Sequence, residues 1–199
     1  VLIGSHIGEN THSAQVNEFT TAIAKGASII VVDPRFSTAA SKAKYWLPIK
    51  PETDIALLLA WINVIIDEGL YQKDYVKRHT LGFEQLKEEV KGNTPEWAYP
   101  ITSIKPELIR ETAREIAKNA PGTLIHPGRH NVWHGNDTQR VRAGAILNAL
   151  LGAWGSKGGF YLAKKAKIPQ YPIPEYPKPN RTWRDTSNGK YDLANLALT

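Results

Sequence analysis

The sequence contains no cysteine. That excludes a disulfide scaffold, a thiolate-bound zinc and a cysteine-held iron–sulfur cluster within these residues. Long apolar runs are scarce as well. The longest, Ile55–Ile66, is interrupted by Asn63 and is shorter than the roughly 20 residues of a membrane-spanning helix, so it predicts a buried helix. No basic, then apolar leader opens the chain. It starts directly on Val1-Leu2-Ile3-Gly4, which reads as the interior of a longer polypeptide. The glycine fingerprint G-x-G-x-x-G is also missing, because Gly4 and Gly8 do not form it, and a simple nicotinamide dehydrogenase becomes a minority reading.

What is present suits a folded domain. A length of 199 residues with 42% hydrophobic content allows one sizeable core. The net charge of +6 is unevenly distributed, with −2 in residues 1–100 and +8 in residues 101–199. Such a basic half attracts anions. Because its cations are interleaved with apolar helical positions, a phosphorylated ligand is the expected partner, and no nucleic acid is expected.

The first organised unit is strand, turn, helix, strand. Val1–Gly4 is a short apolar strand, Ser13 is placed to cap a helix with Val16, Phe19 and Ile23 inward, Gly26 ends it, and Ser28–Val32 is a branched run suited to a buried parallel strand. This is half of a doubly wound nucleotide-binding fold. The fold class expected is α/β: a Rossmann-like open, mostly parallel sheet flanked by helices over residues 1–160. A proline-rich extension over 161–199, with Pro169, Pro172, Pro174, Pro177 and Pro179, reads as an extended continuation.

Asp33 follows the second strand, where a carboxylate can accept hydrogen bonds from a ribose, and Arg35 can face phosphate. A surface turn with a local Asp–Arg pair is the plain alternative. Tyr45–Ile49 is a third strand, Thr53 a candidate cap for the long helix, and Asp54 an acid in its first turn. Asp54 either favours the helix dipole or accepts the N–H donors on guanine's Watson–Crick edge. Between Gly69 and Tyr99 the pattern is structural, with Tyr71, Tyr75 and Val76 on one face, a short helix on Phe83, Leu86 and Val90, and His79 in a local hydrogen bond. Another helix begins at Lys105-Pro106-Glu107, buries Leu108, Ile109 and Ile116, and leaves Arg110, Arg114 and Lys118 solvated.

Thr123–Ile125 is expected as a strand leading into the loop His126–Asp137. There imidazole, guanidinium, amide and indole groups concentrate before a helix with Arg140, Arg142, Ile146 and Leu150. His126, His130 and His134 invite a zinc reading, but Pro127 and Gly128 break the helix that would align them, and no metal ligands are assigned. His134 is the candidate proton relay, with structural support as the competing account. The glycines from Gly152 to Gly159 permit close backbone approach to a large ligand.

Gly4–Asn10, Val31–Arg35, Trp46–Asp54 and Gly155–Gly159 together resemble ordered motifs of the dimethyl-sulfoxide-reductase superfamily of molybdopterin oxidoreductases. The resemblance covers about residues 1–160. It implies a module holding the guanosine end of a molybdopterin guanine dinucleotide, with molybdenum held through that cofactor and an iron–sulfur cluster elsewhere in the parent. Gly4, His6, Asn10, Asp33, Arg35, Asp54, Gly128, Asn131, Asn136, Gly158 and Gly159 are the cofactor-binding candidates, Asp33 and Arg35 at the ribose–phosphate and Asp54 at guanine. Glu52 stands where many relatives have glycine before Thr-Asp. The stretch Gly128–Arg140 resembles catalytic subunits of polysulfide and thiosulfate reductases, while tetrathionate and arsenate reductases and formate dehydrogenases share the architecture. A non-catalytic nucleotide-binding module is the opposing class. The resemblance further implies an iron–sulfur electron-transfer subunit and a membrane-anchor subunit as partners beside the remaining domains of the polypeptide, a periplasmic membrane-associated parent, and no turnover by these residues alone.

Overall fold

The structure, a computed structural model, describes residues 1–5, 7–9, 13–128, 135 and 137–161. Val1–Ala163 form one compact unit. Apart from Tyr161, the extension expected over 161–199 lies outside the described residues.

Four short strands make one parallel sheet: β1 (Leu2–Ile3), β2 (Ile30–Val32), β3 (Tyr45–Leu47) and β4 (His126–Pro127), in the order β3-β2-β1-β4. Leu2 stands opposite Val31 on one side and His126 on the other, and Val31 opposite Trp46. All three residues of β2 are buried, which explains its run of branched apolar residues: a parallel strand covered on both faces needs them at every position.

Alternation along the strands separates two cores. Ile3, Ile30, Val32 and Leu47 join the larger one, and Leu2 and Val31 the smaller. The larger lies under α2 (Asp54–Asp67), which is buried almost all round and packs against α5 (Pro95–Thr102), α6 (Pro106–Lys118) and α7 (Asp137–Leu150). At its centre the fully buried Trp61 donates its indole N–H to Thr112 Oγ1 at 2.9 Å. The opposite face carries α1 (Ser13–Ala24), with Val16 and Phe19 half-buried against Leu2 and Val31, and a 3-10 turn at Ala40–Lys42. Two short helices, α3 (Lys73–His79) and α4 (Phe83–Glu89), follow α2.

Several expectations are corrected. The fourth strand is His126–Pro127, not Thr123–Ile125, because its place is set by the partner: His126 N–H donates to Val1 O at 2.9 Å and Gly128 N–H to Ile3 O at 2.7 Å, while Thr123 is tied back to Ile116 O. Ser13 is the first residue of α1 rather than a residue before it. Thr53 does not cap α2, since its hydroxyl donates backwards to Lys50 O at 2.6 Å. Arg110 and Arg114 stay at the surface as expected and there pair with Glu96 and Glu68, which lie on other segments. The local hydrogen bond expected of His79 is not overturned, and its ring lies against that of Tyr75, centroids 4.7 Å apart. The unforeseen helix α5 starts at Pro95, capped by Thr94 Oγ1 accepting from Trp97 N–H, and contains Pro100, a residue that argues against a helix when sequence alone is read.

Candidate functional site

Because the four strands run parallel, the segments that leave them share one edge of the sheet. Gly4 leaves β1, Asp33 leaves β2, the 48–54 turn leaves β3 and Gly128 leaves β4. The chain steps outward from β1 to β3 and then returns to place β4 on the far side of β1, so the switch in direction lies between β1 and β4, where such sheets bind ligands. Gly4 and Gly128 occupy that crevice. A Cβ on Gly128 would lie 1.9 Å from Gly4 O and 2.5 Å from Ser5 N. Only glycine fits, and the two backbones touch with no side chain from residue 128 between them.

One strand over, Asp33 Oδ1 accepts the Arg35 backbone N–H at 2.9 Å, closing a tight turn, and Trp46 Nε1–H donates to Asp33 O at 2.8 Å. The Arg35 guanidinium does not pair locally. It bonds Glu9 Oε2, while Glu9 Oε1 accepts Thr38 N–H at 2.9 Å. The Thr38 backbone N–H and then the Arg35 guanidinium hold the Glu9 carboxyl below the usual carboxylate range, and Glu9 in turn raises Arg35. Glu9 was not among the residues singled out by sequence. Its partner lies 26 positions away, and nothing in the local pattern marks the pair.

Asp54 opens α2 with 8% exposure. The preceding turn is bonded by Lys50 N–H to Thr102 O at 2.9 Å and by Thr53 N–H to Lys50 O at 3.3 Å. Within it Glu52 has φ 71°, the left-handed conformation that glycine adopts freely and glutamate does not. Arg140 of α7 reaches this turn and donates from Nη2 to Glu52 O at 3.1 Å. Sequence reading placed Arg140 on a helix and at the end of the Gly128–Arg140 stretch, with no partner assigned to it. Its signal was present: Arg140 falls on the same helical stripe as Ala143, Leu147 and Leu150, all buried.

Gly158 and Gly159 are not brought to this edge. Gly159 closes the turn after α7, where a Cβ would lie 2.2 Å from Ala153 O, and Trp154 stacks on Phe160 with centroids 4.7 Å apart. Gly158 packs against Gly122 and lines a cavity of about 690 Å³ with Leu2, Phe19, Ile29, Ile30 and Leu124. Residues preceding β2 and β4 form much of that lining, so the cavity runs along the α1 face toward the amino ends of the strands. His6, Asn10, Asn131, His134 and Asn136 lie outside the described residues, as does His130 of the zinc reading. Among the described residues no group of three His, Asp or Glu side chains is arranged to hold a metal, and no helix is long and apolar enough to cross a membrane.

The parallel sheet flanked by helices accords with the similarities found among known proteins. The molybdopterin-containing subunit of a thiosulfate reductase from Salmonella typhimurium is 39% identical over 168 residues, covering 84% of this chain and 22% of the relative. The acetylene hydratase of Syntrophotalea acetylenica is 34% identical over 154 residues, covering 77% of this chain and 21% of the relative. Among solved structures, acetylene hydratase from Pelobacter acetylenicus superimposes with a TM-score of 0.73 at 35% identity, over 76% of this chain and 21% of that one. The chain thus spans about a fifth of the length of these relatives. The family model of molybdopterin oxidoreductases matches residues 1–170, and the chain belongs to that family.

Proposed function

We propose that these residues hold the guanosine end of a molybdopterin guanine dinucleotide within a molybdenum-dependent oxidoreductase, and that the parent enzyme reduces thiosulfate, polysulfide or a related sulfur compound. The observation that carries the cofactor reading is the convergence of the Gly4–Gly128 crevice, Asp33 and Asp54 on one edge of the sheet. These residues fit the group. Gly4 and Gly128 close the β1–β4 edge backbone against backbone, and each of the other two strands delivers a carboxylate.

In this reading Asp33, whose Oδ1 fixes its own turn, offers Oδ2 to a ribose hydroxyl. Arg35, steadied by Glu9, faces the phosphates as a charge-assisted donor. Asp54 accepts from the N1–H and N2–H groups of guanine, a pairing only a base with adjacent donors can make. His6, Asn10, Asn131 and Asn136 add polar contacts, and His134 carries a proton near the substrate. When bound, the cofactor supplies the metal that exchanges electrons with the substrate, and the protein's contribution is orientation and electrostatics. An iron–sulfur cluster elsewhere in the parent, an electron-transfer subunit and a membrane anchor complete the proposal.

The sulfur-compound reading is supported by the 39% identity to a thiosulfate reductase subunit and by the +8 charge of residues 101–199, which favours an anionic substrate. Other relatives are named for arsenate reduction and formate dehydrogenation. The test is metal, pterin and guanine-nucleotide analysis of the purified full-length parent, followed by assays with thiosulfate, polysulfide, tetrathionate, arsenate and formate. Bound guanine dinucleotide and turnover of a sulfur compound are expected. A parent without guanine nucleotide refutes the cofactor reading, and turnover of arsenate or formate alone refutes the substrate.

A further inference from the structure

Arg140 is only 4% exposed. A guanidinium stays inside a protein only where partners replace its water, so a buried arginine on the apolar stripe of a helix is held there for what it bonds. One of its bonds crosses 88 positions of sequence to Glu52 O, at 3.1 Å. That carbonyl belongs to a left-handed residue, φ 71°. Left-handed residues bearing a side chain persist only where their surroundings over-determine them. The turn's other bonds secure its flanks: Lys50 is tied to Thr102, and Thr53 bonds back to Lys50 through both its N–H and its hydroxyl. Having turned back, the Thr53 hydroxyl does not cap α2, and Asp54 follows immediately as the first helical residue.

We propose that Arg140 is a positioning residue that pins the Glu52 peptide in its left-handed conformation and thereby fixes the start of α2, setting the Asp54 carboxylate for recognition of the nucleotide base. The base-recognition part rests on the function proposed above; the pinning does not. Arg140 belongs to α7 (Asp137–Leu150), so the pin ties that helix to the turn that presents Asp54.

The pin makes a specific claim about Glu52. Glycine adopts the left-handed region without strain, so a glycine at position 52 relieves the need for Arg140. Arg140→Met removes every donor while keeping length and apolar bulk, and it is compared in the full-length parent with Glu52→Gly and with the double variant, as a double-mutant cycle. Two quantities are read: hydrogen exchange at the amides of Thr53 and Ala56, and guanine nucleotide released per chain. In the natural background Arg140→Met is expected to speed exchange about tenfold or more and to lower bound guanine nucleotide about fivefold. In the Glu52→Gly background the same change is expected to move each by less than twofold. Should Arg140→Met not fold, Arg140→Lys, which keeps a charge and a donor, is taken through the same cycle with the same background dependence expected. Equal effects in both backgrounds, or unchanged exchange in the natural one, overturn the pin. A natural parent lacking guanine nucleotide overturns the proposed function instead, and the exchange comparison still decides the role of Arg140.

Discussion

The guanidinium of Arg35 is bonded to the carboxylate of Glu9 and not to that of Asp33, two positions before it. The difference matters because Asp33 then serves its turn through Oδ1 alone, while Arg35 is held by a residue from the loop after β1. The phosphate candidate after β2 is therefore held from the loop after β1, whereas the ribose candidate is held by its own turn.

Replacing Glu9 with glutamine is expected to weaken nucleotide retention in the parent without altering its fold. The pH dependence has a definite sign. The carboxyl of Glu9 is lowered from its ordinary value, first by the Thr38 N–H and then by Arg35, so its contribution is complete above the ordinary glutamate range and is lost as pH falls through the lowered value. Retained nucleotide measured against pH is expected to stay level down to that range and fall below it. If Glu9→Gln shows the same acid-side fall, Glu9 is not its source.

Gly128→Ala and Gly159→Ala separate the crevice from the turn after α7. A Cβ at 128 meets Gly4 O at 1.9 Å and one at 159 meets Ala153 O at 2.2 Å; both obstacles are backbone, and overpacking of this kind costs about 1–3 kcal/mol or more. Both variants are expected to lower the unfolding midpoint. Only Gly128→Ala is expected to weaken nucleotide binding in the protein that remains folded, as read by nucleotide titration. Equal loss of binding in both would place Gly159 in the site as well.

Asp54→Asn replaces an acceptor-only group with one that also presents N–H donors to the donors on guanine. A lost charged hydrogen bond of this kind is worth about 1.5–3 kcal/mol, so roughly a ten- to hundredfold fall in affinity for the guanine dinucleotide is expected. Discrimination against an adenine analogue is expected to fall with it. Unchanged discrimination would return Asp54 to a purely structural part at the helix start.

Trp61→Phe tests the core independently of any ligand. Trp61 is fully buried and its indole donates to Thr112; the substitution removes that bond and leaves a partial void, costing about 1–3 kcal/mol. By contrast Arg114→Ala breaks only an ion pair exposed at the surface, and is expected to cost under about 1 kcal/mol. Denaturant or thermal unfolding of the parent, following this domain by site-specific exchange, checks both.

Sequence by itself determined the elements whose cause is local. The branched run of β2 is buried because every position in it is apolar, α2 is a core helix because it is hydrophobic all round, and Asp54 opens that helix as its spacing implied. The parallel sheet followed from strands alternating with helices, and the placement of Gly4, Asp33 and Asp54 on one edge followed from the sheet being parallel. Tertiary structure alone decided the pairings across distance. β4 is only two residues long, so its position was set by β1 rather than by its own composition. Glu9 chose Arg35 from 26 positions away, Arg140 chose the Glu52 carbonyl from 88, and Gly158 and Gly159 went to the turn after α7. Backbone propensity acts over a few residues, whereas a carboxylate, a guanidinium or a carbonyl finds its partner only once packing has brought separate elements together; that is why the edge was legible and the clamps that hold it were not.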